Sequence, residues 1–317
     1  MTSFAFLFPG QGSQSVGMLD AWGDHPVVRN TLQEASEALG EDLGALIAQG
    51  PKEALALTTN TQPVMLVAGV AAHRVWMHEV GEPAAMMAGH SLGEYAALVA
   101  AGVLSLSQAA PLVRFRAQAM QEAVPVGSGA MAAVLGLAAA DVVRVCAEVQ
   151  ASFAPDSGEV VEAVNFNDPV QTVIAGSKAA VEQAAIAMKA AGAKRALPLP
   201  VSAPFHSSLM RPAALRLAER LQDLVFDAPQ VPVLNNVDVA FEQEPLRIKD
   251  ALVRQADGAV RWVECMQAMR AQGIQHVIEC GPGKVLAGMA KRIHPDWAIA
   301  TVHDPASLAE AKGMVQP

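Results

Sequence analysis

Aromatic residues are scarce in this sequence: they make up 4% of 317 residues, with a single tyrosine. Few faces are left on which unstacked bases would rest. Positive charge is also in short supply. Lysine and arginine number 22 against 31 aspartates and glutamates, a formal net charge of −9. Holding a nucleic-acid backbone by counterion release needs the opposite balance. Cysteine occurs three times, at Cys146, Cys265 and Cys280. No two stand at metal-ligand spacing, and an odd, scattered set makes no disulfide framework. Free thiols fit a reducing, cytoplasmic setting. The apolar stretch from Pro63 to Met77 is broken by His73 and Arg74 and followed by His78. It stops short of membrane-spanning length and reads as a buried helix. The N-terminal MTSFAFLFPG has no basic region and turns at Pro9-Gly10. It reads as a first core strand, not a signal peptide. Glycine and proline, 24 and 20 residues, follow no G-X-Y period, which excludes a collagen-like chain.

What is present is apolar mass: 52% hydrophobic residues and 17% charged. Such a chain buries a sizeable core, and disorder is excluded. At roughly 150 residues per domain the length allows about two domains or one large one. Residues 4–8 (FAFLF) and 84–88 (AAMMA) read as short buried strands. The second leads into Gly89-His90-Ser91-Leu92-Gly93 and then an alanine-rich helix, Glu94 to Ala101, with Gly102 placed as its C′ cap. Runs at 233–237, 276–280 and 298–302 are also strand-like, with helical patterns between them such as Leu209 to Leu224. This alternation predicts an α/β fold around a mainly parallel sheet. From about 128 to 202 the rhythm changes: strand 130–135, helix 138–151, strands 160–166 and 171–175, helix 178–191, strand 195–199. The order βαββαβ is the ferredoxin-like pattern. A turn-rich entry at 125–129 and a proline-rich exit at 198–204 mark it as a small inserted domain, 128–202, in a discontinuous core of 1–127 and 203–317.

Gly89-His90-Ser91-Leu92-Gly93 matches G-x-S-x-G between a strand and a helix, the setting of a nucleophile elbow. Ser91 then stands at a helix N-terminus, where the Leu92 N–H faces a developing oxyanion. The pentapeptide by itself also describes an ordinary turn. A serine hydroxyl needs a base. Of eight histidines, His206 lies in an irregular segment just after the insert, which suits a catalytic side chain; a capping or packing role is the alternative. His90 adjoins the serine, and its side chain is expected to point away. A histidine base with an ordinary pKa of about 6.5 puts an ascending limb in the acylation rate near neutrality. The other glycine-rich turn, Pro9 to Gln14, fails as a dinucleotide fingerprint at Ser15 and as a P-loop after Gly17. The hydrolase logic takes its second oxyanion donor from a loop after another strand, which points to Gln11. Arg114 and Arg116 lie two apart on a helix and face different directions. One of them suits a substrate carboxylate, and the residues alone leave open which.

Together these pieces resemble the malonyl-CoA:acyl-carrier-protein transacylases of fatty-acid synthesis, over about residues 4–302. The matching motifs are FPGQGSQ at 8–14, GHSLGEY at 89–95, RFRAQAMQ at 114–121, VNFNDPVQTVIAG at 164–176, PFHSSLM at 204–210, VPVLNNVD at 231–238 and IECGPGKVLAGM at 278–289. The resemblance implies an α/β-hydrolase-like core with an inserted ferredoxin-like domain and a site in the cleft between them. It implies Ser91 as nucleophile, His206 as general base, and the N–H groups of Gln11 and Leu92 as oxyanion hole. It selects Arg116 for the malonyl carboxylate, sets Asn167 at the cleft edge, and gives the carbonyl of Gln255 the task of orienting His206. Phe205 beside His206 resembles the malonyl-selecting form. The implied reaction moves a malonyl group from malonyl-CoA to the phosphopantetheine thiol of an acyl carrier protein, with no metal or redox cofactor and no membrane or nucleic-acid partner. One departure is Ala259, where the family usually shows proline before V-x-W; it bears on the loop path expected around Gln255. A carrier protein that is itself acidic needs a local positive patch, for which Lys189, Lys194, Arg195, Lys284, Lys291 and Arg292 are candidates. A serine hydrolase on the same elbow and a non-catalytic carrier-docking module are the rival readings.

Overall fold

The computed structural model describes residues 3–201 and 203–316. Along the chain run β1 (Phe4–Phe8), β2 (Met86–Gly89), β3 (Gly129–Leu135), β4 (Val161–Asp168), β5 (Gln171–Ser177), β6 (Arg195–Pro198), β7 (Val233–Leu234), β8 (His276–Cys280) and β9 (Ala298–Val302). They form two sheets, one in the order β7-β2-β1-β8-β9 and one in the order β4-β5-β3-β6.

The first sheet is parallel throughout. Its central strand explains why. Phe4, Phe6 and Phe8 point into one apolar cluster, shared with the helix Thr58–Glu79, while Ala5 and Leu7 point into another, shared with Trp262, Met266 and Leu286. A strand buried on both faces needs helices on both faces, and a parallel sheet supplies them through its crossovers. The few aromatics are concentrated here: the Phe6 ring meets Trp76 edge-on at 5.6 Å. The helix Thr58–Glu79 is an interior element, and among the described residues no helix is long and apolar enough to cross a membrane.

The second sheet is antiparallel and built only from residues 129–198, with the βαββαβ order expected. Alternation along β3 gives it two apolar faces. Ala132 and Val134 pack on the insert's own helices, Ala139–Ser152 and Lys178–Ala190. Met131 and Ala133 pack instead against Met120, Phe205 and Met210 of the larger part. The second face lays the insert over the carboxyl edge of the parallel sheet. Backbone bonds Val260 N–H to Val164 O (2.8 Å) and Phe166 N–H to Val260 O (3.0 Å) stitch β4 down beside it.

Several boundaries differ from expectation; the strand expected at 84–88, for example, is Met86–Gly89. The run at 233–237 pairs only over Val233–Leu234. Its asparagines leave the ladder because they serve a turn: the Asn235 N–H donates to Ala240 O and the Asp238 N–H to Asn235 Oδ1, the competition with strand pairing that asparagine side chains offer. The helix expected at 209–224 is Arg211–Gln222, entered by a 3-10 turn at Ser208–Met210. The helix after Ser91 is Gly93–Ala100. Gly102, at φ +77°, closes it: the Gly102 N–H donates to Val99 O and the Val103 N–H to Leu98 O. In the exit segment at 198–204, Ser202 lies outside the described residues.

Candidate active site

Strand register brings the site together. Phe8 of β1 lies opposite Gly89 of β2, so the turn carrying Gln11 and the turn carrying Ser91 leave the sheet side by side. Leu234 of β7 lies opposite Ala88, so Asn235 and Asn236 emerge on the elbow's other flank. Ligands of parallel sheets bind at this carboxyl edge. The elbow is too tight for side chains at its glycines. A Cβ on Gly89 would run into the Gly93 carbonyl, and one on Gly93 into Phe8 O. Ser91 itself sits at φ +52°, a left-handed conformation that costs a serine about 1–3 kcal/mol and persists only where its surroundings enforce it. Asn236 does so: its Oδ1 accepts from Ser91 N–H at 2.7 Å and its Nδ2 donates to Gly89 O at 2.8 Å.

The Ser91 hydroxyl donates to His206 Nε2 at 2.6 Å, and His206 Nδ1–H donates to Gln255 O at 2.9 Å. His206 is also left-handed, at φ +66°. Gln255 is not on a loop, as expected, but in the last turn of the helix Pro245–Asp257. The final carbonyls of a helix have no partner within it, so this one is free to hold an imidazole. The neutral pH limb expected for His206 does not fit its setting. The ring is 5% exposed. Burial first, and the Arg116 charge second, lower its pKa from 6.5 to about 3. His206 is therefore neutral, with an available Nε2 lone pair, throughout the physiological range. Between about 3 and 6.5 the unfolded chain binds a proton that the folded one refuses, so stability falls as pH falls through that window. Followed by NMR from about pH 8 to about pH 5, the His206 imidazole should show no titration; a midpoint near 6.5 would refute this.

Arg114 and Arg116 part company in the structure. Arg114 forms a two-pronged pair with Glu41, at 2.8 and 2.6 Å, away from the site. Arg116 is 2% exposed and turns inward. It donates to Gln62 Oε1 (2.8 Å), Gln255 Oε1 (3.0 Å) and Ser91 Oγ (3.2 Å), with its guanidinium 5.4 Å over the Tyr95 ring. Among the described residues its bonded partners include no carboxylate. Two neutral amides hold the cation in place, and the nearby Glu94 carboxyl acts on it without a direct bond.

These groups line one cavity of about 110 Å³. Gln11, Gln62, His90, Ser91, Leu92, Arg116, Asn165 and His206 form its polar part, and Met120, Met131, Leu199, Val201 and Phe205 an apolar wall to which a helix, β3 and the segment after β6 contribute. Leu92 is the N-cap residue of the helix Gly93–Ala100, where backbone N–H groups lack helical partners. The Ser91 N–H is taken by Asn236, while Gln11 and Leu92 both line the cavity. His90 does not point away, contrary to expectation. Its Nε2–H donates to Asn167 Oδ1 at 2.8 Å, and its ring lies edge-on to Trp262. Asn167 therefore meets His90, while Asn165, two residues earlier, reaches the cavity with a buried Oδ1 that has no partner. Gln62, Asn165, Asn236 and the side chain of Gln255 were missed from sequence. Each lies in a different segment, and no local pattern joins them.

The one grouping with metal-ligand geometry among the described residues is His25, His78 and Glu79, an outer cluster in which Glu79 Oε1 accepts from both imidazoles. Two of the candidate docking cations are engaged already: Arg292 Nε donates to Asp168 Oδ2 at 2.6 Å, and Lys291 donates to Pro295 O.

A serine on a strand–turn–helix elbow, bonded to an imidazole that is bonded to a carbonyl, defines the class of α/β serine acyl-transfer proteins. A family profile described as "Acyl transferase domain" matches residues 5–302. The chain is 54% identical over 312 residues to the malonyl CoA-acyl carrier protein transacylase of Escherichia coli, covering 98% of this chain and 99% of that one. It is 42% identical over 309 residues to that of Bacillus subtilis, covering 97% and 96%. A crystal structure of an acyl-carrier-protein S-malonyltransferase from Burkholderia pseudomallei matches with a TM-score of 0.95 at 60% identity, over 98% of this chain and 100% of that one. A malonyl-transacylase solved in complex with its type II PKS acyl-carrier protein matches with a TM-score of 0.95 at 51% identity, over 99% and 100%. This chain belongs to the acyl transferase family, among its malonyl CoA-acyl carrier protein transacylases.

Proposed function

We propose that this chain moves a malonyl group from malonyl-CoA to the phosphopantetheine thiol of an acyl carrier protein, through an ester on Ser91. The observation that carries this reading is Arg116: a buried guanidinium 3.2 Å from the Ser91 hydroxyl, held by amides and lacking a carboxylate. A thioester that places a carboxylate there puts its carbonyl at the serine.

Ser91 attacks the thioester carbonyl while His206 Nε2 takes its proton. The Gln255 carbonyl keeps the other imidazole proton on Nδ1, so the lone pair faces the serine. The N–H groups of Leu92 and Gln11 hold the oxyanion. Collapse expels the coenzyme A thiolate, which takes the proton back from His206. The carrier thiol then gives its proton to His206, attacks the malonyl ester, and Ser91 leaves with that proton. Every step uses a side chain or backbone group, so the reading calls for no metal or redox cofactor. Asn167 acts through His90, at the cleft edge. Three buried, unpaired cysteines support a cytoplasmic setting. We divide the chain into a core of 1–127 and 203–317 and an insert of 128–202, a division supported by the insert's separate sheet and apolar cluster.

Whole-protein mass spectrometry tests the reading. Mixing with malonyl-CoA should add the mass of one malonyl group, and holo carrier protein should discharge it. Prompt release of free malonate without carrier protein would mark a hydrolase. No adduct at all would mark a docking module.

A further inference from the structure

Glu94 is buried in the first turn of the helix after Ser91, only 2% exposed, and no arginine or lysine touches it among the described residues. One carboxylate oxygen, Oε2, accepts from the Asn236 N–H at 2.9 Å and from Gln255 Nε2 at 2.9 Å. Those two residues hold opposite ends of the reacting pair. Asn236 clamps the elbow at Ser91 N–H and Gly89 O. Gln255 holds His206 through its backbone carbonyl, the Ser91 carbonyl through Nε2 (3.1 Å), and Arg116 through Oε1.

We propose that Glu94 is a positioning residue for acyl transfer, the shared anchor that ties the support of Ser91 to the support of His206 and Arg116. The proposal rests on the reading of Ser91 and His206 given above. Gln255 Nε2 carries two hydrogens, and Glu94 and the Ser91 carbonyl take both. That fixes the amide so that its oxygen faces Arg116. A reversed amide would set NH₂ against guanidinium and leave both without an acceptor. The carboxylate also aligns the amide dipole, with the anion at its NH₂ end and the Arg116 cation at its oxygen end. Burial pushes the Glu94 carboxyl up to about 7, against the downward pull of its bonds from Gln255 and Asn236 and of the Arg116 charge. Oε2 accepts both bonds in either protonation state, because a proton taken up near that pH can sit on the other oxygen.

The test compares wild type, Glu94→Gln and Glu94→Asp. Two reactions are timed, malonyl-enzyme formation from malonyl-CoA and capture of Ser91 by a small alkyl fluorophosphonate, with melting temperature as the control for folding. Glu94→Gln keeps the size and an oxygen that can accept both bonds, but without the charge that strengthens them. Misplacing reacting groups by a fraction of an ångström to an ångström slows a step by about 10- to 100-fold, and that loss is expected in the maximal rates of both reactions. The half-saturating malonyl-CoA concentration should change by less than about threefold, since ground-state binding is largely kept. Glu94→Asp keeps the charge one methylene short and should recover part of the rate. It also supplies the folded comparison if the neutral variant does not fold. Wild-type rates in a folded variant overturn the proposal, as does a loss confined to half-saturation. Fluorophosphonate capture separates the two claims. If wild type takes fluorophosphonate but no malonyl, the malonyl reading fails, and slower capture by Glu94→Gln still supports the positioning role.

Discussion

Ser91→Ala is expected to abolish malonyl transfer, with a loss of up to about a millionfold, as for deletion of the nucleophile in serine enzymes. The variant should still fold. Alanine carries the same Cβ, so the strain at φ +52° is no greater than in serine, and the Asn236 clamp acts on backbone groups that remain. What disappears is the hydroxyl that donates to His206. Incubation with radiolabelled malonyl-CoA should leave the protein unlabelled while wild type retains one equivalent. Covalent label on the variant would show that another side chain is the nucleophile.

The second large effect is on choice of substrate. Malonyl-CoA and acetyl-CoA differ at this site by one carboxylate. Charge-assisted hydrogen bonds from a buried guanidinium are worth about 1.5–3 kcal/mol, which corresponds to roughly 10- to 150-fold in rate or affinity. Acetyl-CoA offers Arg116 no carboxylate to bond in a low-dielectric cleft, so wild type should prefer malonyl-CoA strongly. Arg116→Ala should lose malonyl transfer and gain acetyl transfer relative to it, because the unpaired cation is gone. Arg116→Lys should recover only part: an ammonium lacks the planar fork that reaches Gln62, Gln255 and a carboxylate together. Arg114→Ala is the control. Its partner Glu41 is exposed, and such pairs contribute little. The ratio of kcat/KM for the two thioesters is the measurement. A collapse of that ratio in Arg114→Ala, with Arg116→Ala unchanged, would reverse the assignment.

Much of the fold was legible because its determinants are short-range. FAFLF has no polar face, so it must be buried on both sides. Gly89 and Gly93 flank a serine between a strand and a helix because only glycine passes so close to a neighbouring backbone. The βαββαβ rhythm of the insert shows in its alternation and its turn residues, and Gly102 closes a helix through its own positive φ. Motif order along the chain carried the site assignments further, to His206, Arg116 and Gln255.

The tertiary structure decided what depends on groups far apart in sequence. Arg116 was separated from Arg114 by physical partners 54 and 139 residues away, Gln62 and Gln255, whereas Glu41 drew the other arginine outward. Gln255 lies on a helix end and not on a loop because the helix runs through to Asp257. His90 faces the cleft because Asn167, 77 residues later, is delivered to it by the insert's hairpin. Glu94 and Asn236 meet because β7 pairs beside β2. The pKa of His206 could not be read from its neighbours in sequence, since desolvation depends on everything packed around the ring and falls off with distance in space, not along the chain.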